Sequence, residues 1–389
     1  MGHTQDFFKT KKGWSVLKDQ IIDHYLEPYI AKILTTRKPL VIVDCFAGKG
    51  KFDDGSPGSP LIIAQHISKT IDSSKSNKQL QGIFIEKKYH KELTANLNGY
   101  RNCLIWPGTF EDNLSKITQL NPLNNLFVYI DPYGIKSLDF RRFSQIKQRR
   151  FNTLEMLINF NSFGFLREGC RLLKCENLLQ EIDDYDDYEI DYANDIENMN
   201  HVANGDYWIP IVRSLQNKEI SMLEAEEKFT KEYVWQIESL FRYVVNIPIK
   251  QKSQNVPKYR LIFGTNNQDG LILMADNMNK KWKQILENQR HGQEVLFEYD
   301  FPDLSLQNDF DLEEDIVTIV KGNGGSILLK ELIVKIIQKY GISFSESQYK
   351  KVISNMPLRL HWNPEFTETG RRVTSLDYNK YEIRVIYDE

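Results

Sequence analysis

Residues 41–52 read VIVDCFAGKGKF. A β-branched apolar run that stops at an acidic residue predicts a buried strand ending at Asp44. Phe46, Ala47, Gly48, Lys49 and Gly50 then form a tight loop, because glycine adopts backbone conformations closed to other residues and lets the chain pass close beneath a ligand. A dinucleotide-binding turn would read G-x-G-x-x-G and cradle a pyrophosphate. Here Asp53 occupies the position of the third glycine, and the next helix is delayed past Gly55-Ser56-Pro57-Gly58. An acidic strand end over such a loop suits a cationic ligand without phosphate. S-adenosylmethionine carries a sulfonium and an ammonium group, and it is the cofactor predicted for Asp44, Phe46, Ala47, Gly48 and Gly50.

Around this loop, strand-like segments alternate with helix-like ones: 39–46, 82–87, 103–106, 126–131 and 153–160, then 243–249 and 259–265. Nearly continuous hydrophobicity predicts strands covered on both faces, hence a parallel α/β sheet. The fold class is therefore α/β, a Rossmann-like seven-stranded methyltransferase sheet. A helix precedes it, since Trp14, Leu17, Ile21, Tyr25, Ile30 and Leu34 fall near a 3.6-residue period. Ser59-Pro60 is a helix start.

Other strand ends carry the chemistry. Glu86 ends the second strand, where a carboxylate can accept both ribose hydroxyl hydrogens. After the third, Phe110 can pack on an adenine ring, with Thr109 either beside it or serving as a helix cap. After the fourth comes FVYIDPYG (127–134). An Asp-Pro-aromatic turn at a sheet's carboxyl edge points to methyl transfer onto an amine: Asp131 and the Pro132 carbonyl accept the two amine hydrogens, and Tyr133 stacks on the ring. Positioning, rather than a strong base, supplies the rate. These three are the predicted catalytic residues. The basic run 141–150 (RRFSQIKQRR) follows closely, which predicts Arg149 and Arg150 near the pocket mouth, against nucleic-acid phosphates.

From about 310 the character changes. Asp311–Lys321, Leu328–Tyr340 and Ser345–Asn355 read as helices, and 371–376 with 380–387 as a hairpin. That order predicts a winged helix-turn-helix, so the domains are 1–305 and 306–389. Tyr349, Lys350, Lys351, Arg371 and Arg372 are candidate contacts to nucleic acid, with protein docking as the alternative. Residues 181–207 are acidic, rich in tyrosine and poorly periodic, as in an insertion or lid.

Taken together, DCFAGKG with GSPGSPL (44–61), YIDPYG (129–134), LINFNSFGFLR (157–167) and YRLIFGTNNQDGLILMADNM (259–278) resemble the three-Cys-motif partner (TcmP) family of prokaryotic proteins. The resemblance spans most of the chain. It implies a methyltransferase-like protein with a separate partner carrying a three-cysteine motif, of iron–sulfur or radical type. It also implies cofactor contacts at Asp44, Gly48 and Gly50, substrate contacts at Asp131 and Tyr133, and Asn159, Asn161 and Arg167 along the edge of the fifth strand. The Asp-Pro-Pro-Tyr pattern of DNA amino-methyltransferases is not matched, because Tyr133 stands at the second proline.

Composition bounds the rest. Net charge is −3 and four cysteines are present, which is neither a nucleic-acid polycation nor a disulfide scaffold. Cys170 and Cys175 lack a second pair or a nearby histidine, so no metal is predicted. No apolar run is long enough to cross a membrane, and no signal peptide is recognisable; a cytoplasmic location is expected. Oligomeric state is not legible. The leading function is a methyltransferase acting on an amine of a nucleic acid or nucleotide. The alternative is a cofactor- or nucleotide-binding sensor or scaffold that holds the three-Cys partner.

Overall fold

The computed structural model describes residues 13–73, 79–175, 178, 195–249, 256–290, 311–356, 359–363, 366, 370, 376–379 and 381–385. Helix α1 (Gly13–Ile33) precedes a sheet of β1 (Leu40–Asp44), β2 (Leu80–Glu86), β3 (Cys103–Pro107), β4 (Asn125–Ile130), β5 (Thr153–Phe160), β6 (Tyr243–Ile249) and β7 (Tyr259–Thr265). The strand order is β3-β2-β1-β4-β5-β7-β6. β1 to β5 are parallel, and β7 runs antiparallel between β5 and β6. The order therefore reverses between β1 and β4, the place where an open α/β sheet forms a crevice at its carboxyl edge.

Helices cover both faces, which is why the central strands are apolar throughout. α2 (Ser59–Ser73), α3 (His90–Asn96) and α10 (Gln268–Arg290) share one face with α1. α4 (Phe110–Thr118), α5 (Phe140–Gln148), α6 (Ser162–Leu172), α7 (Ile196–Ala203), α8 (Trp208–Gln216) and α9 (Met222–Glu238) share the other. Alternation along each strand divides the core: Phe84, Phe127, Leu157 and Phe263 join the α1 face, whereas Ile85, Val128, Ile158 and Ile262 join the α9 face. Of the acidic insertion, 181–194 lie outside the described residues; its remainder begins at Asp195, whose side chain accepts from Asn198 N and caps α7.

The C-terminal unit comprises α11 (Leu312–Gly322), β8 (Ser326–Leu328), α12 (Leu329–Tyr340), α13 (Glu346–Ser354), β9 (Leu360–Asn363) and β10 (Glu382–Val385). Its sheet order is β8-β10-β9, both pairs antiparallel. The expected hairpin partner 371–375 lies outside the described residues, and the strand that pairs β10 on one side is β9, with Ile383 opposite Trp362. β8, too short to show a period in sequence, pairs it on the other side. The unit packs on α1 and α10. Asn279 donates to the Ile342 carbonyl at 2.7 Å, Asp276 accepts from Glu346 N at 3.0 Å, and Lys32 donates to the Tyr378 hydroxyl at 3.0 Å. Their apolar residues merge into one cluster, with Trp282 and Met278 of α10 joined to Leu332, Ile336 and Tyr349.

Candidate active site

Seven segments meet at the carboxyl edge: the end of β1 with its loop, the ends of β2, β3, β4 and β5, the start of β7, and the first turns of α1. Asp44 is fully buried. Its Oδ1 accepts from Phe46 N at 3.1 Å and its Oδ2 from the Ser59 hydroxyl at 2.7 Å. Ser59 thus ties α2 to the strand end. Burial pushes the Asp44 carboxyl up to about 7, opposed by the Ser59 and Phe46 hydrogen bonds and reinforced by the charges of Asp131 and Asp19. Asp44 consequently shapes the loop directly and reaches a ligand through its field.

The loop turns back at two glycines in left-handed conformations, Gly48 (φ 60°) and Gly50 (φ 80°). At Gly50 a Cβ would meet Leu93 Cδ1 at 2.9 Å, so the loop lies close against α3. Lys51 bridges Pro57, and Gly58 N donates to the Gly50 carbonyl at 2.9 Å; the segment before α2 is therefore a small hairpin rather than slack. Ala47 is buried and its N donates to the Ile85 carbonyl. Phe46, half-buried, meets Phe110 edge-on at 5.9 Å between ring centroids.

Glu86 holds the loop from the neighbouring strand. Its Oε2 accepts from Gly48 N at 2.8 Å, and its Oε1 accepts from Lys88 N at 2.7 Å and Tyr89 N at 2.9 Å. A carboxylate offers about four acceptor directions, so three backbone amides occupy most of its capacity. Phe110 is fully buried in the core, which corrects its expected place on an adenine face: the first turn of α4 carries it inward, and Phe46 covers it. Thr109 is the N-cap of α4, in a capping box with Asp112.

Asp131 is the most heavily bonded group of the edge. The Lys18 ammonium sits 2.7 Å from Oδ1 and 2.6 Å from Oδ2, Asn159 Nδ2 donates to Oδ1 at 2.6 Å, and the Tyr129 hydroxyl donates to Oδ2 at 3.0 Å. Four donor contacts fill its acceptor positions, so a substrate amine would have to displace one of them. Lys18 is buried, and the Asp131 side chain is 24 % exposed. Pro132 is buried and Tyr133 is 54 % exposed. Burial raises the pKa of the Tyr133 hydroxyl, and the negative charges of Glu86 and Asp131 add to the shift.

Of the residues expected at the fifth strand, Asn159 is 1 % exposed and joined to Asp131, while its Oδ1 has no partner. Asn161 accepts from Gly164 N at 2.8 Å as the cap of α6, and Arg167 lies half-buried farther along that helix. Arg149 and Arg150 are misplaced by the sequence reading. α5 runs back from the crevice, so they stand exposed at its far end, just before β5 begins, at the opposite edge of the sheet. Eight strand residues separate the two edges, on the order of 25 Å. Tyr349 is also corrected: it is 1 % exposed and belongs to the core. Lys350 pairs with Glu346, Lys351 is exposed, and Arg371 and Arg372 lie outside the described residues.

Lys18, Asp19 and Tyr129 are not among the site residues expected from sequence, and Ser59 is expected there only as a helix start. One signal was available: Lys18 falls seven residues before Tyr25, two turns along the apolar face of α1, where a lysine is out of place unless paired. Among the described residues no group of three or more His, Cys, Asp or Glu side chains is placed to hold a metal, and no helix is long and apolar enough to cross a membrane.

No family model matches the chain, and no curated protein does. Similar solved structures include a Legionella pneumophila protein of the DUF519 family, 10% identical with TM-score 0.40, covering 71% of this chain and 92% of that one. Another is the plantazolicin methyltransferase BamL with a triazolic desmethylPZN analogue and SAH, 10% identical with TM-score 0.29, covering 65% and 85%. A third is loganic acid methyltransferase with SAH, 10% identical with TM-score 0.27, covering 65% and 95%. Likenesses this remote carry no function to the chain, and the fold stands on its own strand order.

Proposed function

We propose that the chain is an S-adenosylmethionine-dependent methyltransferase acting on an amine of a nucleic acid or nucleotide. The observation that carries this reading is the pairing of a glycine loop, with a buried carboxylate at its root, and the Asp131-Pro132-Tyr133 turn on the adjacent strand at the switch point. The residues fit the cofactor: Gly48 and Gly50 leave room for close backbone approach, and Asp19, Asp44 and Asp131 give the crevice an excess of negative charge suited to a sulfonium. Asp44 and Glu86 would hold the loop around the cofactor, and Phe46 would flank it. When bound, the cofactor supplies an electrophilic methyl group. The Pro132 carbonyl accepts an amine hydrogen, Tyr133 offers an exposed ring for stacking, and both fix the nucleophile's lone pair in line. Asn159 would hold Asp131 in place from the fifth strand.

In this reading the protein belongs with the three-Cys-motif partner proteins and works in the cytoplasm. Its C-terminal unit is a winged helix. Because the first turn of α13 is docked on Asp276 and Tyr349 is buried, the unit serves protein docking better than groove reading, and a three-Cys protein is the partner the resemblance suggests.

Calorimetry with S-adenosylmethionine tests the cofactor. Mass spectrometry of nucleic acid incubated with the chain and labelled cofactor tests the transfer. Tyr133→Ala should keep cofactor affinity and lose transfer; an unbound cofactor sinks the reading.

A further inference from the structure

Lys18 and Asp131 form a nearly buried ion pair at the mouth of the crevice, joining α1 to the end of β4. Such a pair is poor value for stability alone, because desolvating two charges offsets most of their attraction and apolar side chains of similar size often do as well. The surroundings make the apolar alternative natural: Leu17, Ile21 and Ile22 of the same helix are buried. Asp131 also does not need Lys18 to stay satisfied, since Tyr129 and Asn159 both donate to it. Lys18 further lies 5.7 Å from the Tyr259 ring centroid at the start of β7. An ammonium with three donors on a flexible four-carbon stem can therefore leave the carboxylate and still have a face to rest on.

We infer that the Lys18–Asp131 pair, with Asp19, is the receptor for an α-amino-acid zwitterion, the methionyl end of the cofactor. On binding, the ligand's α-ammonium takes the Lys18 position at Asp131, and the Lys18 ammonium moves to the ligand's α-carboxylate. One ion pair becomes two, and no proton or bond changes hands. The placement agrees with the sheet. β2, β1 and β4 are neighbours, so the ends carrying Glu86 and Asp131 are on the order of 10 Å apart, the reach from a ribose to an amino-acid end, with the Gly48–Gly50 loop between them. The charge agrees as well: Lys18 pairs with Asp131, and the charges of Asp131 and Asp19 both act on Asp44 at the end of the neighbouring strand. Asp131 thereby moves from the substrate side of the site to the cofactor side, and the Pro132 carbonyl and Tyr133 are left to meet the substrate.

This inference rests on the cofactor reading above, and one set of titrations separates the two. The full chain and its Lys18→Met, Lys18→Arg and Asp131→Asn variants are titrated calorimetrically with S-adenosylmethionine, decarboxylated S-adenosylmethionine, which lacks the α-carboxylate, and 5′-methylthioadenosine, which lacks the whole amino-acid end. The wild type should bind S-adenosylmethionine at least tenfold tighter than the decarboxylated form. Lys18→Met should erase that preference by weakening S-adenosylmethionine alone, and Lys18→Arg should restore part of it. Asp131→Asn should weaken both ammonium-bearing ligands and leave 5′-methylthioadenosine within about twofold, which keeps the test decisive if Lys18→Met fails to fold. A tenfold preference that survives in folded Lys18→Met overturns the inference while the cofactor reading stands. Equal losses for all three ligands also overturn it, by making the pair purely structural. Failure of the wild type to bind any of the three overturns the cofactor reading itself.

Discussion

The Glu86 carboxylate accepts the Gly48 amide hydrogen at 2.8 Å across 38 positions of sequence. The end of β2 thereby holds the loop that follows β1, and its other oxygen fastens the turn at Lys88 and Tyr89. A glutamine can reproduce the second function with its carbonyl. It cannot reproduce the first as well, because its remaining atom is a donor facing a donor.

Glu86→Gln should therefore weaken S-adenosylmethionine binding about tenfold, roughly 1.4 kcal/mol, with a small change in melting temperature. Calorimetry and thermal unfolding of the same sample check it. Undiminished affinity would show that the loop keeps its shape without the tether.

A second expectation concerns pH. Burial raises the Asp44 carboxyl to about 7, above its unfolded value, so between about pH 4 and 7 the folded chain holds a proton that the unfolded chain has released. Stability contributed at this site falls as pH rises through that window. A cationic ligand favours the ionised form and lowers the carboxyl's pKa. Cofactor binding should then release protons, and affinity should rise from pH 6 to 8. Titrations in two buffers of different ionisation enthalpy measure the release, and Asp44→Asn should abolish that part of it. An identical pH dependence in Asp44→Asn would remove Asp44 from the linkage.

On the α1 face of the sheet, Glu155 is 2 % exposed and bonded to Tyr25 at 2.5 Å and Thr265 at 3.2 Å. A Cβ at Gly270 would collide with its Oε1. Gly270→Ala should destabilise the chain by at least about 2 kcal/mol, since a packed, hydrogen-bonded carboxylate has nowhere to move. Denaturant unfolding measures this. Burial also raises the Glu155 carboxyl to about 7, so Glu155→Gln should flatten the loss of stability that wild type shows as pH rises from about 4.5 to 7.

Replacing Arg149 and Arg150 together by alanine should leave cofactor affinity and methyl transfer unchanged, because both stand at the amino edge of the sheet. Kinetics and a salt titration of nucleic-acid binding check it. A tenfold loss of transfer in the double variant would mean that substrate wraps around the sheet edge.

Local chemistry made most of this architecture legible. Seven apolar runs bounded by polar turns became seven strands, 153–160, 243–249 and 259–265 with unchanged limits; the central strands, covered on both faces, leave an uninterrupted hydrophobic record, and the edge strand 243–249 alternates. The glycine loop was legible for a similar reason, since its backbone conformations are closed to other residues. The carboxyl-edge positions of Asp44, Glu86 and Asp131 followed from strand direction alone. Tertiary structure decided what each carboxylate touches. Lys18 reaches Asp131 across 113 positions because α1 crosses the sheet at β4, and no local pattern encodes that crossing. Phe110 turned inward and Thr109 became a cap because α4 begins one residue after Thr109. Arg149 and Arg150, only sixteen positions or so beyond Tyr133, were carried to the far edge because a helix antiparallel to its strand converts nearness in sequence into distance in space.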